Sequence, residues 1–434
     1  MSIVLNARDA DFDAKFDRRI LASREERADV DGAVAAILAD VKTRGDQAVI
    51  DYTAKWDRTT LTPQTMRVPV SEIDAAESAC SPEMLTALKT AASRIAEYHR
   101  RQMPADELYT DKTGIRLGWR WTPVMSAGLY VPGGTAALFS SVLMNAVPAK
   151  VAGVDRLVVT LPTPDGKTNP LMLAACKIAG VDEVYRIGGA QAVAALAFGT
   201  ATIAPVDKIV GPGNAYVASA KKQVFGTVGI DMVAGPSEVT VVADAENDPD
   251  WIAADLLAQA EHDSSSQSIL ITNDAAFAKR VESAVAAHLK TLPRAETASA
   301  SWQRHGAIVI VSEIGEAARL VDRIAPEHLE LAVKNPEPLM KAIRHAGAIF
   351  IGRFTPEAVG DYIAGPSHVL PTSGTARFSS GLGVFDFLKR TSIIDCSSDG
   401  LRAIGPAGVA MARAEELDAH ARSIAVRLNI GRDG

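Results

Sequence analysis

IVGPGNAYVASAKKQVFG, residues 209–226, runs from a short apolar strand through a glycine-proline turn into an amphipathic stretch closed by glycine. IGGAQAVAALAFG, residues 187–199, follows the same order of strand end, glycine turn and helix. Outward from this pair, β-branched runs recur at 156–161, 183–187, 208–210, 239–243, 268–272, 307–311 and 348–351, with helical spacings between them. Strands alternating with helices of roughly 10 to 15 residues predict an α/β fold with parallel sheets, because a parallel pair needs a crossover of that length. One such unit spans 130–236 and a second runs from 237 to about 380. Their similar sizes leave an ancient duplication open.

The flanks read differently. Residues 29–102 are patterned helically, with Val34, Ile37, Leu38 and Val41 at three-to-four spacing and Ser81-Pro82 as an N-cap and first-turn pair. Residues 381–396 are rich in Gly, Phe and Ser, and 414–428 predict one charged amphipathic helix, a kind of tail that docks on a partner chain. The expected division is a small helical N-terminal arm over 1–27, a first α/β domain from 28–129 plus 237–380, a second α/β domain over 130–236, and a small helical C-terminal segment over 381–434.

Composition narrows the function classes. Of 434 residues 47% are hydrophobic and 22% charged, so a packed core is expected and disorder is not. The net charge of −7, with no dense Lys/Arg stripe, argues against a nucleic-acid partner. Three scattered cysteines build neither a disulfide framework nor a zinc knuckle and suit a reducing compartment. The amino terminus has no apolar signal core, and no run of 18 apolar residues occurs, so the chain reads as soluble and cytoplasmic, without a membrane partner.

Several segments carry groups with chemistry. Asp248-Pro249 opens a helix toward Glu261, placing Gln259 and His262 at i and i+3, where an amide oxygen and an imidazole on one face suit a shared cation or simply a polar helix end. Upstream, Gly235-Pro236-Ser237 feeds a buried-looking strand, and the mouth of such a strand is the expected place for a ligand. In APEHLEL, 325–331, Glu327 and His328 are neighbours that share a cleft only at an irregular or helix-opening turn, which Pro326 favours. There His328 suits general-base work, the alternative being a surface pair. Asp361 and His368 add polar groups or ordinary turn residues, and Glu415 and His420 belong to the tail helix or to its solvated face. No strand is followed by the GxGxxG fingerprint; the glycine turns at Tyr130–Gly134, Gly188-Gly189 and Gly211-Pro212-Gly213-Asn214 are weaker phosphate cradles. Cys176 lies in an apolar stretch without groups that would activate it and reads as structural.

In order and spacing, the segments 130–134, 188–199, 207–214, 230–262, 325–329 and 354–390 resemble the histidinol dehydrogenase family across essentially the whole chain. The resemblance implies oxidation of L-histidinol through L-histidinaldehyde to L-histidine with two NAD⁺ and one Zn²⁺ per subunit. It implies two incomplete Rossmann-like domains in an intertwined homodimer, the 381–434 segment crossing to the other subunit. By position it implies zinc ligands at Gln259, His262, Asp361 and His420, and catalytic residues at Glu327 and His328. Substrate contacts fall on Ser237, His368 and Glu415 together with Gln259, His262, His328, Asp361 and His420, and NAD⁺ contacts on Tyr130, Gln191 and Asn214. The competing expectation is a zinc hydrolase with Glu327 as base and no nicotinamide.

Overall fold

The computed structural model describes residues 3–22, 30–133 and 138–430. The boundary expected at 27/28 and Gly134 of the first glycine turn lie outside them. The strands among the described residues are β1 (Ile3–Asn6), β2 (Glu107–Thr110), β3 (Arg116–Pro123), β4 (Ser126–Tyr130), β5 (Arg156–Thr160), β6 (Glu183–Tyr185), β7 (Lys208–Val210), β8 (Gly229–Ile230), β9 (Glu238–Ala243), β10 (Gln267–Thr272), β11 (Ala307–Ile310), β12 (His328–Ala332), β13 (Ala348–Ile351) and β14 (Leu388–Asp395).

Among the described residues, two of the three sheets are parallel throughout. Their orders are β6-β5-β4-β7-β8 and β1-β11-β10-β9-β12-β13. In each, the unit's first strand is central, the next two add on one side and the last two on the other. That is the 3-2-1-4-5 order of a doubly wound sheet short of its sixth strand, with β1 as an extra edge on the larger sheet. The N-terminal arm, expected to be helical, thus also contributes a strand, which Ile3–Asn6 forms by pairing with Ala307–Ile310.

Side-chain alternation builds the cores. Val239, Val241 and Ala243 of β9 join one cluster with Ile252, Leu256 and Leu257 of the Pro249–Ala260 helix, while Val242 joins Leu329 and Leu331 in the other. The same parity puts His328 and Glu330 of β12 on the face of that helix, with Ala332. In the smaller sheet, the Asp31–Arg44 helix buries Val34, Ile37, Leu38 and Val41 against the Gly189–Phe198 helix, so packing groups it with the five-stranded sheet.

By contact density the chain divides into 1–102 with 124–387, which holds both parallel sheets, and 103–123 with 388–434. The second unit contains an antiparallel sheet, order β14-β3-β2, that the sequence reading did not foresee. Its register runs from Leu388↔Pro123 to Asp395↔Arg116, joining segments far apart in the chain, so no local pattern announces it. The helix expected over 414–428 is the shorter Asp418–Ala425, and a longer helix, Ser398–Ala414, precedes it in the stretch left unassigned from sequence. Glu416 adopts φ +59, and the amides of Glu416 and Leu417 bond Arg413 and Ala412 oxygens at 3.0 and 2.8 Å. This is a Schellman stop built with glutamate where glycine usually sits, stabilised by Val409 and Ala412 packing on Ala421 and Ala425.

Candidate active site

The Pro249–Ala260 helix starts as its sequence demands, Asp248 Oδ1 accepting from Asp250 N at 2.9 Å with proline in the first turn. It returns from the carboxyl edge of β9 to the amino edge of β10, delivering Gln259 buried near its end. His262 lies just past the regular helix, in a tight turn, its N–H donating to Gln259 O at 3.2 Å. Of the irregular or helix-opening turn expected at Pro326, the structure has the irregular one. The Ala317–Ile324 helix ends through left-handed Ala325 at φ +46, and the oxygens of Pro326 and Glu327 accept from Gly347 and Ala348 amides at 2.9 Å each. Sheet pairing therefore captures this segment, and His328 becomes the first residue of β12. Ser237, half-buried, precedes β9 at the same amino edge and is fixed by Gln267 N on its carbonyl at 3.0 Å.

Glu327 and His328 are both buried and meet across 3.8 Å. Glu238 holds both with its backbone: its N–H donates to Glu327 Oε2 at 2.9 Å, and its carbonyl faces His328 Nδ1 at 2.9 Å. A carbonyl only accepts, so Nδ1 carries the proton and Nε2 keeps its lone pair. Burial pushes the His328 pKa down to about 4, so the ring is neutral near pH 7. Nε2 lies 3.8 Å from Glu357 Oε1, on the Glu357–Tyr362 helix that also carries Asp361.

Carboxyl groups crowd this pocket. Burial first, then neighbouring acids, raise Glu327 and Glu357 well above the usual carboxylate range. Behind them Glu330 is raised the same way and shares a hydrogen bond with Asp255, itself pushed up to about 6 by burial. Glu330 Oε1 also accepts the Glu357 amide at 2.6 Å. His262 Nε2 lies 3.7 Å from Asp361 Oδ2, and ligand atoms of His262, Glu357 and Asp361 all fall within 4.8 Å of one another. The buried Gln259 Oε1 and Glu357 Oε1 have no hydrogen-bond partner. Concentrated acids, a nearby imidazole and orphaned oxygens are what a divalent cation relieves, and this N/O donor set fits Zn²⁺. Glu357 was not singled out from sequence, although its i−4 spacing from Asp361 on one helix could have revealed it. His368 has both nitrogens engaged, Nδ1 on Asp361 O at 3.0 Å and Nε2 beside Ser141 Oγ at 3.1 Å.

The expected cofactor residues gather at the carboxyl edge of the other sheet. Tyr130 ends β4, and its hydroxyl, pushed up to about 12 by burial, accepts the Gly189 amide at 3.1 Å. Gln191 is 1% exposed, and its Oε1 has no partner. Asn214 Oδ1 is spent on helix capping, at 3.1 and 3.2 Å from the Tyr216 and Val217 amides. Between β4 and β7, where strand order reverses, Gly211 sits at φ +109, and a Cβ there would lie 2.2 Å from Tyr130 O. Its N–H donates to Asp231 Oδ2 and its carbonyl accepts from Lys221 Nζ, both at 2.8 Å, so this amide is not open to a phosphate. Glu415 and His420 belong to the second unit: Glu415 caps the Ser398–Ala414 helix, His420 lies in the next one, and both are exposed. Cys176 is buried with its thiol pushed up to about 12, as a structural cysteine should be.

The sequence profile of the family described as histidinol dehydrogenase matches residues 21–428. The chain belongs to the histidinol dehydrogenase family. Among its relatives, the histidinol dehydrogenase of Rhodospirillum rubrum is 62% identical over 432 residues, 99% of this chain and 100% of that protein. That of Rhizobium meliloti is 61% identical over 434 residues, covering all of both chains. The crystal structure of histidinol dehydrogenase from Elizabethkingia anophelis superposes with a TM-score of 0.93 at 37% identity, covering 99% of this chain and 98% of that one. Histidinol dehydrogenase architecture thus extends over both parallel sheets and the C-terminal unit.

Proposed function

We propose that this protein oxidises L-histidinol through L-histidinaldehyde to L-histidine, reducing two NAD⁺, with Gln259, His262 and Asp361 of one chain and the partner subunit's His420 holding Zn²⁺. The observation that carries the reading is the neutral, buried His328 whose unprotonated Nε2 opens toward the carboxyl cluster containing Asp361, in a chain belonging to this family. When bound, zinc supplies an anchor for the imidazole and amine nitrogens of the substrate, and NAD⁺ supplies the hydride acceptor for both oxidations.

His328 Nε2 takes the hydroxyl proton in the first oxidation. The backbone of Glu238 fixes the ring, so the base is aimed before substrate arrives. The low proton affinity of a fully buried imidazole makes it release that proton and return to the neutral form for a second use. Glu327, whose carboxyl burial raises well above the usual carboxylate range, serves the water that converts aldehyde to gem-diol. Ser237, His368 and the partner subunit's Glu415 line the substrate, while Tyr130, Gln191 and Asn214 hold the dinucleotide. Overall the alcohol and one water become a carboxylate, with two hydrides and three protons released.

Exposed Glu415 and His420 support a homodimer in which the 381–434 segment completes the neighbour's site. The exposed apolar Ile404 and Met411 on the Ser398–Ala414 helix, with Leu417 and Val426 at the two ends of the next, support it too. No helix among the described residues is long and apolar enough to cross a membrane, and the three cysteines are unbonded. These features suit a cytoplasmic enzyme. The deciding experiment measures NADH formed per histidinol consumed. Two is expected, one would mean simple alcohol oxidation, and none would return the zinc-hydrolase reading.

A further inference from the structure

The helix Phe139–Ala152 follows β4 in the cofactor sheet, yet two of its groups grip the loop that carries His368. Ser141, 2% exposed, places its Oγ 3.1 Å from His368 Nε2. Asp361 O can only accept from His368 Nδ1, so Nδ1 holds the ring proton and the Ser141 hydroxyl donates to Nε2. The second grip has a cause in sequence. Pro148 lies inside this helix and has no N–H to offer the carbonyl four residues before it, Met144 O. The buried Ser367 hydroxyl donates to that freed carbonyl at 3.1 Å, while its oxygen accepts the Val369 amide at 3.2 Å. Proline therefore creates, in the middle of a buried helix, the acceptor that fixes the residue before His368.

We propose that Ser141 and Ser367, with the carbonyl that Pro148 leaves open, are positioning residues through which the cofactor-side helix sets His368 and, through its Nδ1–H, the backbone of Asp361. The inference rests on the reading of Asp361 as a zinc ligand. Loss of either hydroxyl lets the 361–368 segment relax, which misplaces a ligand without touching zinc or substrate.

The test measures Zn²⁺ affinity by chelator competition, alongside steady-state kinetics and thermal melts, for S141A, S141T, S367A, P148A and S367A/P148A. S141A and S367A should each weaken zinc binding about tenfold, the low end for residues that orient a ligand, and raise KM for histidinol more than they lower kcat at saturating zinc. S141T, which restores the hydroxyl, should recover most of the affinity. P148A supplies an N–H that competes for Met144 O, so it should weaken zinc binding by itself and add nothing in the S367A background. Unchanged zinc affinity in S141A and S367A, or a P148A effect fully additive to S367A, overturns the proposal. If S141A does not fold, the S367A and P148A cycle decides alone. A wild-type protein that makes no NADH from histidinol but shows this zinc pattern would reject the activity and keep the inference.

Discussion

Replacing Lys221 with methionine tests whether the turn at Gly211, in the proposed cofactor site, is held by a buried ion pair. The Lys221 side chain is 2% exposed and that of Asp231 is 0%, and the two are in direct contact. Each also holds one side of Gly211, Lys221 its carbonyl and Asp231 its amide. Lys221→Met keeps most of the volume but strands the Asp231 carboxylate away from water with one backbone donor. Removing one member of a buried pair costs about 3–5 kcal/mol, a large share of the roughly 5–15 kcal/mol that holds a domain folded. Asp231→Asn should cost less, because asparagine still accepts from Gly211 N and Lys221 keeps its bond to Gly211 O. In the double variant no charge is stranded, so its cost should fall to about 2 kcal/mol or below, giving a coupling of about 2 kcal/mol or more between the sites. Urea unfolding at fixed protein and zinc concentration reads these differences, and NADH kinetics read the consequence: KM for NAD⁺ should rise in Lys221→Met while KM for histidinol stays put. A single variant within about 1 kcal/mol of wild type, or two singles that simply add in the double, would refute the clamp.

Stability should also depend on His328. Its folded pKa of about 4 lies below the ordinary 6.5, so its contribution is fully present above pH 6.5 and is lost as pH falls toward 4, about 3 kcal/mol across the window. His328→Asn should flatten that acid-side slope by up to about 1.4 kcal/mol per pH unit in urea midpoints, and parallel slopes would contradict it. The raised carboxyls Glu327, Glu330 and Glu357 act oppositely, contributing below about pH 4.5 and losing that contribution as pH rises through their elevated values. Cys176→Ala should retain activity within about threefold and cost about 1 kcal/mol in stability, as a deleted buried group does; a hundredfold loss of turnover at full folding would assign the thiol a role it lacks here. Mixing His262→Ala with His420→Ala chains should restore part of the activity, because one intact site forms in the heterodimer. Confirmed subunit exchange without recovery would refute the shared site.

Much was legible where the signal is local. Asp248 before Pro249, Ser81 before Pro82 and Asn214 after Gly213 cap the helices they precede, because a side-chain oxygen two or three residues from an orphan N–H needs no other part of the chain. The strand at Lys208–Val210 and the glycine turns beside it were equally readable, since β-branched runs and positive-φ glycines act on their own backbone. Glu327 and His328 stood out as neighbours, but their backbone did not, because the strands that draw His328 into β12 are β13, some twenty residues downstream, and β9, some ninety upstream. Glu357 went unassigned for a related reason: its carboxyl matters only because folding lays its helix against β12, where it meets His328 and His262.

Local side-chain and backbone preferences, written residue by residue, thus settled that this is a chain of alternating strands and capped helices with a buried structural thiol and a few polar segments. Folding alone decided that the two parallel sheets share one strand order and that candidate metal and cofactor groups gather at opposite strand edges, amino in the larger sheet and carboxyl in the smaller. It also decided that residues 116–123 and 388–395 join in one antiparallel sheet. Register and burial arise between segments distant in the chain, and their free energy belongs to pairs of surfaces, so no window of neighbouring residues contains it.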